Sequence, residues 1–154
     1  MVFYIVSLGV PLLIFALLPR LLNAKTQWLW LLGAACCLFF LSWYLPSPSI
    51  DGKQTQFVTH FIGGGVFTGL LWLYIKFVKK WRTKWWLEAG SLYALVSALG
   101  VANEVFELFL FKLGEMPFGI ADTSWDLLAN TLGALLVFMA YIVVKGYAKN
   151  ATWA

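Results

Sequence analysis

Seven residues have side chains that could bind a cation, transfer a proton or orient a substrate: His60, Asn103, Glu104, Glu107, Asp122, Asp126 and Asn130. Carboxylates together with an imidazole can hold a hard or borderline divalent cation, or share general acid and base roles. We predict catalytic or ligand roles for His60, Glu104 and Asp126, and substrate-binding or orienting roles for the other four. No nucleophile motif, phosphate-binding loop or strong metal-ligand spacing selects a reaction or a metal.

The spacing of these residues predicts which of them share a helix face. Asp122, Asp126 and Asn130 follow one another at intervals of four, as do Asn103 and Glu107. Residues four apart lie one above the other on a helix. Asp122 has a second interpretation, because an Asp just before a helix can instead cap its free N–H groups.

The composition of the chain predicts that these groups lie in a membrane. Of 154 residues, 62% are hydrophobic and only 12% are charged, against about 25% charged in an average soluble domain. The chain also has nine Trp and six Tyr, which favour the membrane–water boundary. A bilayer can solvate the apolar exterior that such a composition produces.

Apolar runs of the required length, about 20 residues, predict an all-α, polytopic membrane protein of about five transmembrane helices in a single domain, 1–154. The expected spans are about 2–19, 28–45, 57–78, 85–111 and 125–144. The break between the second and third spans contains Pro46, Pro48 and Gly52, which are turn-forming residues.

The distribution of charge predicts the orientation. All basic residues except Lys53 and Lys112 fall near the first loop, the third loop and the C-terminal tail, which share one side of a five-span protein. The positive-inside rule then gives a non-cytoplasmic N-terminus and a cytoplasmic C-terminus. The net charge of +4 is therefore a topology signal, and we expect membrane lipid, not nucleic acid, as the partner. Oligomeric state stays open.

Acidic residues other than Glu88 fall at the predicted non-cytoplasmic ends, among them Asp51 and Glu115. The helical rise of about 1.5 Å per residue places His60, Glu104 and Asp126 at one depth near that face. Small residues are frequent in the third, fourth and fifth spans, where they let helices approach closely. We therefore expect a core of helices three to five, with the first two packed outside.

The closing segment, Asp122-Thr-Ser-Trp-Asp-Leu-Leu-Ala-Asn-Thr-Leu-Gly-Ala134, resembles the D-x(3)-D-x(3)-N-x-x-G signature of VanZ-like membrane proteins. It also resembles a related set of uncharacterised bacterial membrane proteins with a W-D pair. Thr59-His60-Phe61 and Asn103-Glu104-Val-Phe-Glu107 resemble their histidine and acidic elements. The resemblance covers about residues 56–136, and two positions depart from the common pattern, Gln56 and Glu107.

The resemblance implies a multi-pass protein of the bacterial cell membrane, with a link to resistance to teicoplanin-type glycopeptides in some members and no implied reaction. Three functions remain open. The protein could be an enzyme acting on an envelope lipid or lipid-linked substrate, or a binder of such a lipid without turnover. In the third alternative the polar cluster only locks helices together, as in a structural protein or partner subunit.

Overall fold

A computed structural model describes residues 2–24, 26–50, 53–114 and 120–151, and it confirms the predicted all-helical class. Five helical rods are present in these ranges: α1 (Val2–Leu21), α2 (Leu29–Ser42), a third helix, α4 (Trp85–Lys112) and α5 (Ile120–Ala151). The third helix consists of a π-helical segment, Thr59–Val66, that continues into α3, Phe67–Val78. Asp51 and Glu115 lie outside the described residues.

Short elements connect the rods. A 3-10 turn, Thr26–Trp28, precedes α2, and a two-residue antiparallel strand pair, β1 (Ser49–Ile50) and β2 (Lys53–Gln54), precedes the third helix. α4 ends at Lys112, and Gly114 shortly after it has a φ of 74°, the left-handed conformation that commonly follows the end of a helix. The fifth helix is longer than the predicted span at both ends, so that Asp122 lies inside its first turn.

Among the described residues, three helices are long and apolar enough to cross a membrane: Thr59–Val78, Trp85–Lys112 and Asp122–Gly146. The apolar stretches Ile5–Leu21 of α1 and Thr26–Ser42, which includes α2, are shorter. Many large apolar side chains on the outside of α1, α4 and α5 are exposed, as expected where lipid covers the surface. The crossing of the membrane by all five helices, and their orientation, stay predictions.

The third helix is the centre of the bundle, because it packs against α2 on one side and α5 on the other. Our prediction that the second span lies outside the core was wrong: Leu31, Leu32 and Ala35 of α2 are almost fully buried. α1 packs mainly on α2 and is peripheral, as expected. Hydrophobicity alone did not separate α1 from α2, because lipid-facing and core-facing side chains are equally apolar in a membrane protein.

α4 does not pack through its small residues, although we expected small residues to let helices three to five approach closely. Its small residues Gly90, Ala94 and Ala98 do not form the interface, since both alanines are exposed and a Cβ at Gly90 would meet nothing within 4 Å. The buried residues of α4 instead follow a line spaced mostly by four: Glu88, Leu92, Val96, Gly100, Glu104, Glu107 and Leu110. This face carries Glu104 and Glu107, the two carboxylates that α4 contributes to the candidate site.

Candidate functional site

The π-helical segment positions the only histidine of the chain. His60 is 7% exposed and lies in the first turn of Thr59–Val66. Long stretches of π-helix are rare, and π-turns occur frequently at functional sites because the wider turn redirects side chains. Here the segment brings His60 to the junction with α4 and α5, where its Nε2 lies 3.5 Å from Asp126 Oδ2 and 3.9 Å from Glu107 Oε1.

α4 contributes Glu104 and Glu107 to the same junction, both less than a tenth exposed. Asn103, one residue earlier, is exposed and donates a hydrogen bond from Nδ2 to Glu107 Oε1 at 2.7 Å. This pair confirms the shared face that the four-residue spacing predicted. Asn103 thus holds one oxygen of Glu107 in place.

α5 contributes Asp126 and Asn130, which are 1% and 4% exposed. Asp122 is one turn earlier and partly exposed. Because α5 begins at Ile120, Asp122 is a first-turn residue and does not occupy the capping position. A carboxylate there is stabilised by the positive end of the helix dipole.

The three predicted catalytic or ligand residues converge. His60, Glu104 and Asp126 each offer one ligand atom such that all three atoms lie within 4.8 Å of one another, and all three residues are buried. Among the described residues, Glu107 and Asp126 form ion pairs with His60, and no Lys or Arg pairs with either carboxylate. We call His60, Glu104 and Asp126 the acidic triad.

Five buried oxygen atoms around the acidic triad accept no hydrogen bond from any described residue. They are both carboxylate oxygens of Glu104, both of Asp126, and Oδ1 of Asn130. Thr123 of α5 and Asn103 of α4 lie close to the Glu104 carboxylate. At least about 90% of buried polar groups in proteins are satisfied, so a cluster of orphaned acceptors calls for a cation or a hydrogen-bond donor.

Asn130 fills the space between the third helix and α4. Its Oδ1 lies where a Cβ at position 64 would be, and its Nδ2 is 3.4 Å from where a Cβ at position 100 would be. Gly64 and Gly100 therefore leave the room that this side chain occupies.

A cavity of about 530 Å³ adjoins the acidic triad through His60. Its polar end includes His60, Asn103, Glu107 and Asn130, together with Gln56 and Thr59, which our sequence reasoning did not assign to the site. Its apolar wall comes from α1, α2, α4 and the third helix: Val6, Val10, Ile14, Phe39, Trp43, Phe67, Val96, Leu99 and Phe106. The volume is in the usual range of ligand sites, about 300–1,000 Å³.

A second polar cluster lies at the other end of the third helix, roughly 24 Å from His60 at 1.5 Å per residue. Lys76 donates to Glu88 Oε1 at 2.5 Å and to the carbonyl of Trp81 at 2.7 Å. Tyr141 and Lys145 of α5 contact the other Glu88 oxygen at 3.1 and 3.4 Å. The sequence set Glu88 apart from the other acidic residues by its position, but its pairing with Lys76 was not predicted. A lysine in the same end of the neighbouring span could have indicated the pair.

The region of the chain that carries the site also carries a family match. A family model described as predicted membrane protein (DUF2238) matches residues 53–146, well over half of the chain. The chain belongs to this family. The matched range contains all seven candidate residues and excludes α1 and α2. It confirms membership in an uncharacterised membrane-protein family, whereas the more specific VanZ-like resemblance stays a prediction. Comparisons with curated proteins and with solved structures gave no match.

Proposed function

We propose that this membrane protein binds one first-row divalent cation at the acidic triad and uses it to act on an amphiphilic envelope substrate in the adjoining cavity. The observation that carries the proposal is the convergence of His60, Glu104 and Asp126 within 4.8 Å, with all four carboxylate oxygens buried and without hydrogen-bond partners among the described residues.

The donor set favours certain cations. One imidazole nitrogen and two carboxylates suit Zn²⁺, and the general order of affinity places Zn²⁺ above Mn²⁺. Mg²⁺ prefers an all-oxygen set and keeps several waters, so the histidine argues against it. A cation would supply the positive charge that these buried carboxylates lack.

Three protein ligands leave a coordination position open, which is the arrangement of catalytic zinc sites as opposed to closed structural ones. A cation held there would activate a bound water as a nucleophile near neutral pH and would polarise a substrate oxygen. Because His60 belongs both to the triad and to the cavity wall, a substrate in the cavity would lie beside the cation. Hydrolysis or group transfer on a lipid or lipid-linked substrate is the reaction class that this arrangement supports.

The structural alternative, in which the polar residues only lock helices together, requires hydrogen bonds between helices. Within the described part of the chain, the Glu104 and Asp126 oxygens make none, and the contact of Asp126 with the third helix is the 3.5 Å approach of His60 Nε2. The second polar cluster, by contrast, joins the third helix, α4 and α5 through Lys76, Glu88 and Tyr141. That contrast favours a ligand-binding role for the acidic triad.

Elemental mass spectrometry of purified protein tests the proposal. Full-length chain without a histidine tag is isolated in mild detergent, dialysed against low Zn²⁺ or Mn²⁺, and compared with Asp126→Asn and Asp122→Asn. Wild type and Asp122→Asn, a matched carboxylate one turn away and outside the triad, should hold about one metal per chain. Asp126→Asn should hold little. Absence of metal in folded wild type would refute the cation site.

Turnover separates an enzyme from a binder with the same cavity. A binder would give a stoichiometric, dose-dependent effect with no product from candidate lipids, and the cation would then set affinity alone.

The proposal also includes a multi-pass arrangement in the bacterial plasma membrane with the site toward the non-cytoplasmic face. The VanZ-like resemblance adds a teicoplanin susceptibility test, in which deletion of the gene should change susceptibility and Asp126→Asn should fail to restore it.

A further inference from the structure

The polar end of the cavity contains a buried amide oxygen that lacks a hydrogen-bond donor, a carboxylate, and little positive charge. Among the described residues that line it there is no Lys or Arg. Asn130, 4% exposed, has an Oδ1 without a hydrogen-bond partner. Glu107 adds a carboxylate whose described partners are Asn103 and His60. A ligand that satisfies this end must supply donors.

Charge balance disfavours a head group with a net negative charge. A divalent cation at the acidic triad would offset the formal charges of Glu104 and Asp126, while the carboxylate of Glu107 would remain at the cavity wall. A head group with a net negative charge would be placed next to it with no basic side chain to compensate, and juxtaposed like charges at an interface are strongly unfavourable.

The remainder of the cavity is apolar and opens toward the surface of the bundle. Val10 of α1 and Leu99 of α4 line it and are 47% and 39% exposed. α1 packs mainly on α2, so its inner face borders the cavity across from α4. In a bilayer this opening faces acyl chains, and a hydrocarbon chain can enter from the side.

We infer that the cavity holds one hydrocarbon chain of an amphiphile whose head group presents hydroxyl or ammonium donors and carries no net negative charge. The head lies at the end formed by His60, Asn103, Glu107 and Asn130, and the chain lies along the wall shared by α1 and α4. The placement of the head group beside the cation rests on the proposed function. The inference adds the chemical class of the substrate.

Photo-crosslinking in phosphatidylcholine nanodiscs tests the inference with the full chain. The probes have the same photoreactive acyl chain and differ in the head: a monoacylglycerol, sphingosine and a lysophosphatidic acid. The neutral and cationic probes should label peptides from α1 and α4, and the anionic probe should label them about tenfold less. Comparison of the first two probes tells whether hydroxyl or ammonium donors are preferred.

Two tryptophan variants provide the matched pair. Ala102 and Ala98 are both exposed on α4, one turn apart, and only Ala102 lines the cavity. Ala102→Trp should lower labelling by the neutral probe about tenfold by filling the cavity, and Ala98→Trp should leave it unchanged. Glu107→Gln, which keeps a hydrogen-bonding group and removes the charge, should narrow the difference between the anionic and neutral probes.

Equal or preferential labelling by the anionic probe, or labelling that Ala102→Trp does not reduce, would overturn the inference. Metal content measured on the same samples distinguishes this failure from failure of the proposed function. Metal binding without head-group selectivity would overturn only the substrate class. Selective labelling without bound metal would support the substrate class and overturn the cation site.

Discussion

Substitution of Gly65 by Ala is expected to destabilise the contact that supports the site. A Cβ at position 65 would lie 2.7 Å from Gly133 Cα and 3.0 Å from Ala134 N, and it would also meet the carbonyl oxygen of Asn130. All of these atoms are backbone, so relief requires the third helix and α5 to separate. Overpacking of this kind costs about 1–3 kcal/mol.

The higher helix propensity of alanine reduces that cost. Replacing a helical glycine by alanine stabilises the helix by roughly 0.5–1 kcal/mol, so the net loss for Gly65→Ala should be about 1–2 kcal/mol. Gly90→Ala provides the control, because a Cβ there would meet nothing within 4 Å. It should be neutral or should stabilise by up to about 1 kcal/mol.

The assay is reversible unfolding of the purified protein from mild detergent, followed by tryptophan fluorescence and circular dichroism. Gly65→Ala should lower the free energy of unfolding, and Gly90→Ala should leave it unchanged or raise it. If Gly65→Ala were as stable as Gly90→Ala, the close approach of the third helix and α5 would be wrong, and with it the position of Asn130 in the site.

Three further predictions concern the charged groups. Glu88→Gln should lower the free energy of unfolding by about 3 kcal/mol, because it leaves Lys76 buried beside a neutral partner. Lys145→Met should cost less than about 1 kcal/mol, because the Lys145 side chain is 51% exposed. Equal effects of the two variants in thermal unfolding would contradict the buried pair. Affinity for Zn²⁺ should fall as the pH is lowered, since protons compete for the imidazole and carboxylates; a pH-independent affinity in equilibrium dialysis would exclude the triad as the ligand set. Saturating Zn²⁺ should raise the thermal stability of wild type but not of Asp126→Asn, because a ligand stabilises only the state that binds it; an equal rise in both would place the metal elsewhere.

Much of the candidate site could be predicted from spacing. The intervals of four between Asp126 and Asn130, and between Asn103 and Glu107, predicted shared faces that the structure contains. The common depth of His60, Glu104 and Asp126 followed from helical rise, and their ligand atoms do converge. Their roles stay predictions, since convergence alone assigns none.

Other features could not be predicted from the sequence, and the reason is physical. In a bilayer both the lipid-facing and the core-facing sides of a helix are apolar, so the pattern of α4 did not identify its buried face. Its small residues suggested one face, whereas the line from Leu92 through Val96 and Gly100 is buried. The π-helical segment has no simple sequence signature either, and the three glycines within it indicated only close packing.

Pulsed electron paramagnetic resonance of tag-free protein loaded with one equivalent of Cu²⁺ tests the central claim most directly. The chain contains one histidine, so nuclear coupling from an imidazole nitrogen to the bound ion must come from His60. We predict coupling from a single imidazole in wild type and Asp122→Asn, and its loss in Asp126→Asn at the same metal concentration. Bound Cu²⁺ without imidazole coupling in wild type, or coupling unchanged in Asp126→Asn, would contradict a cation site built by His60, Glu104 and Asp126.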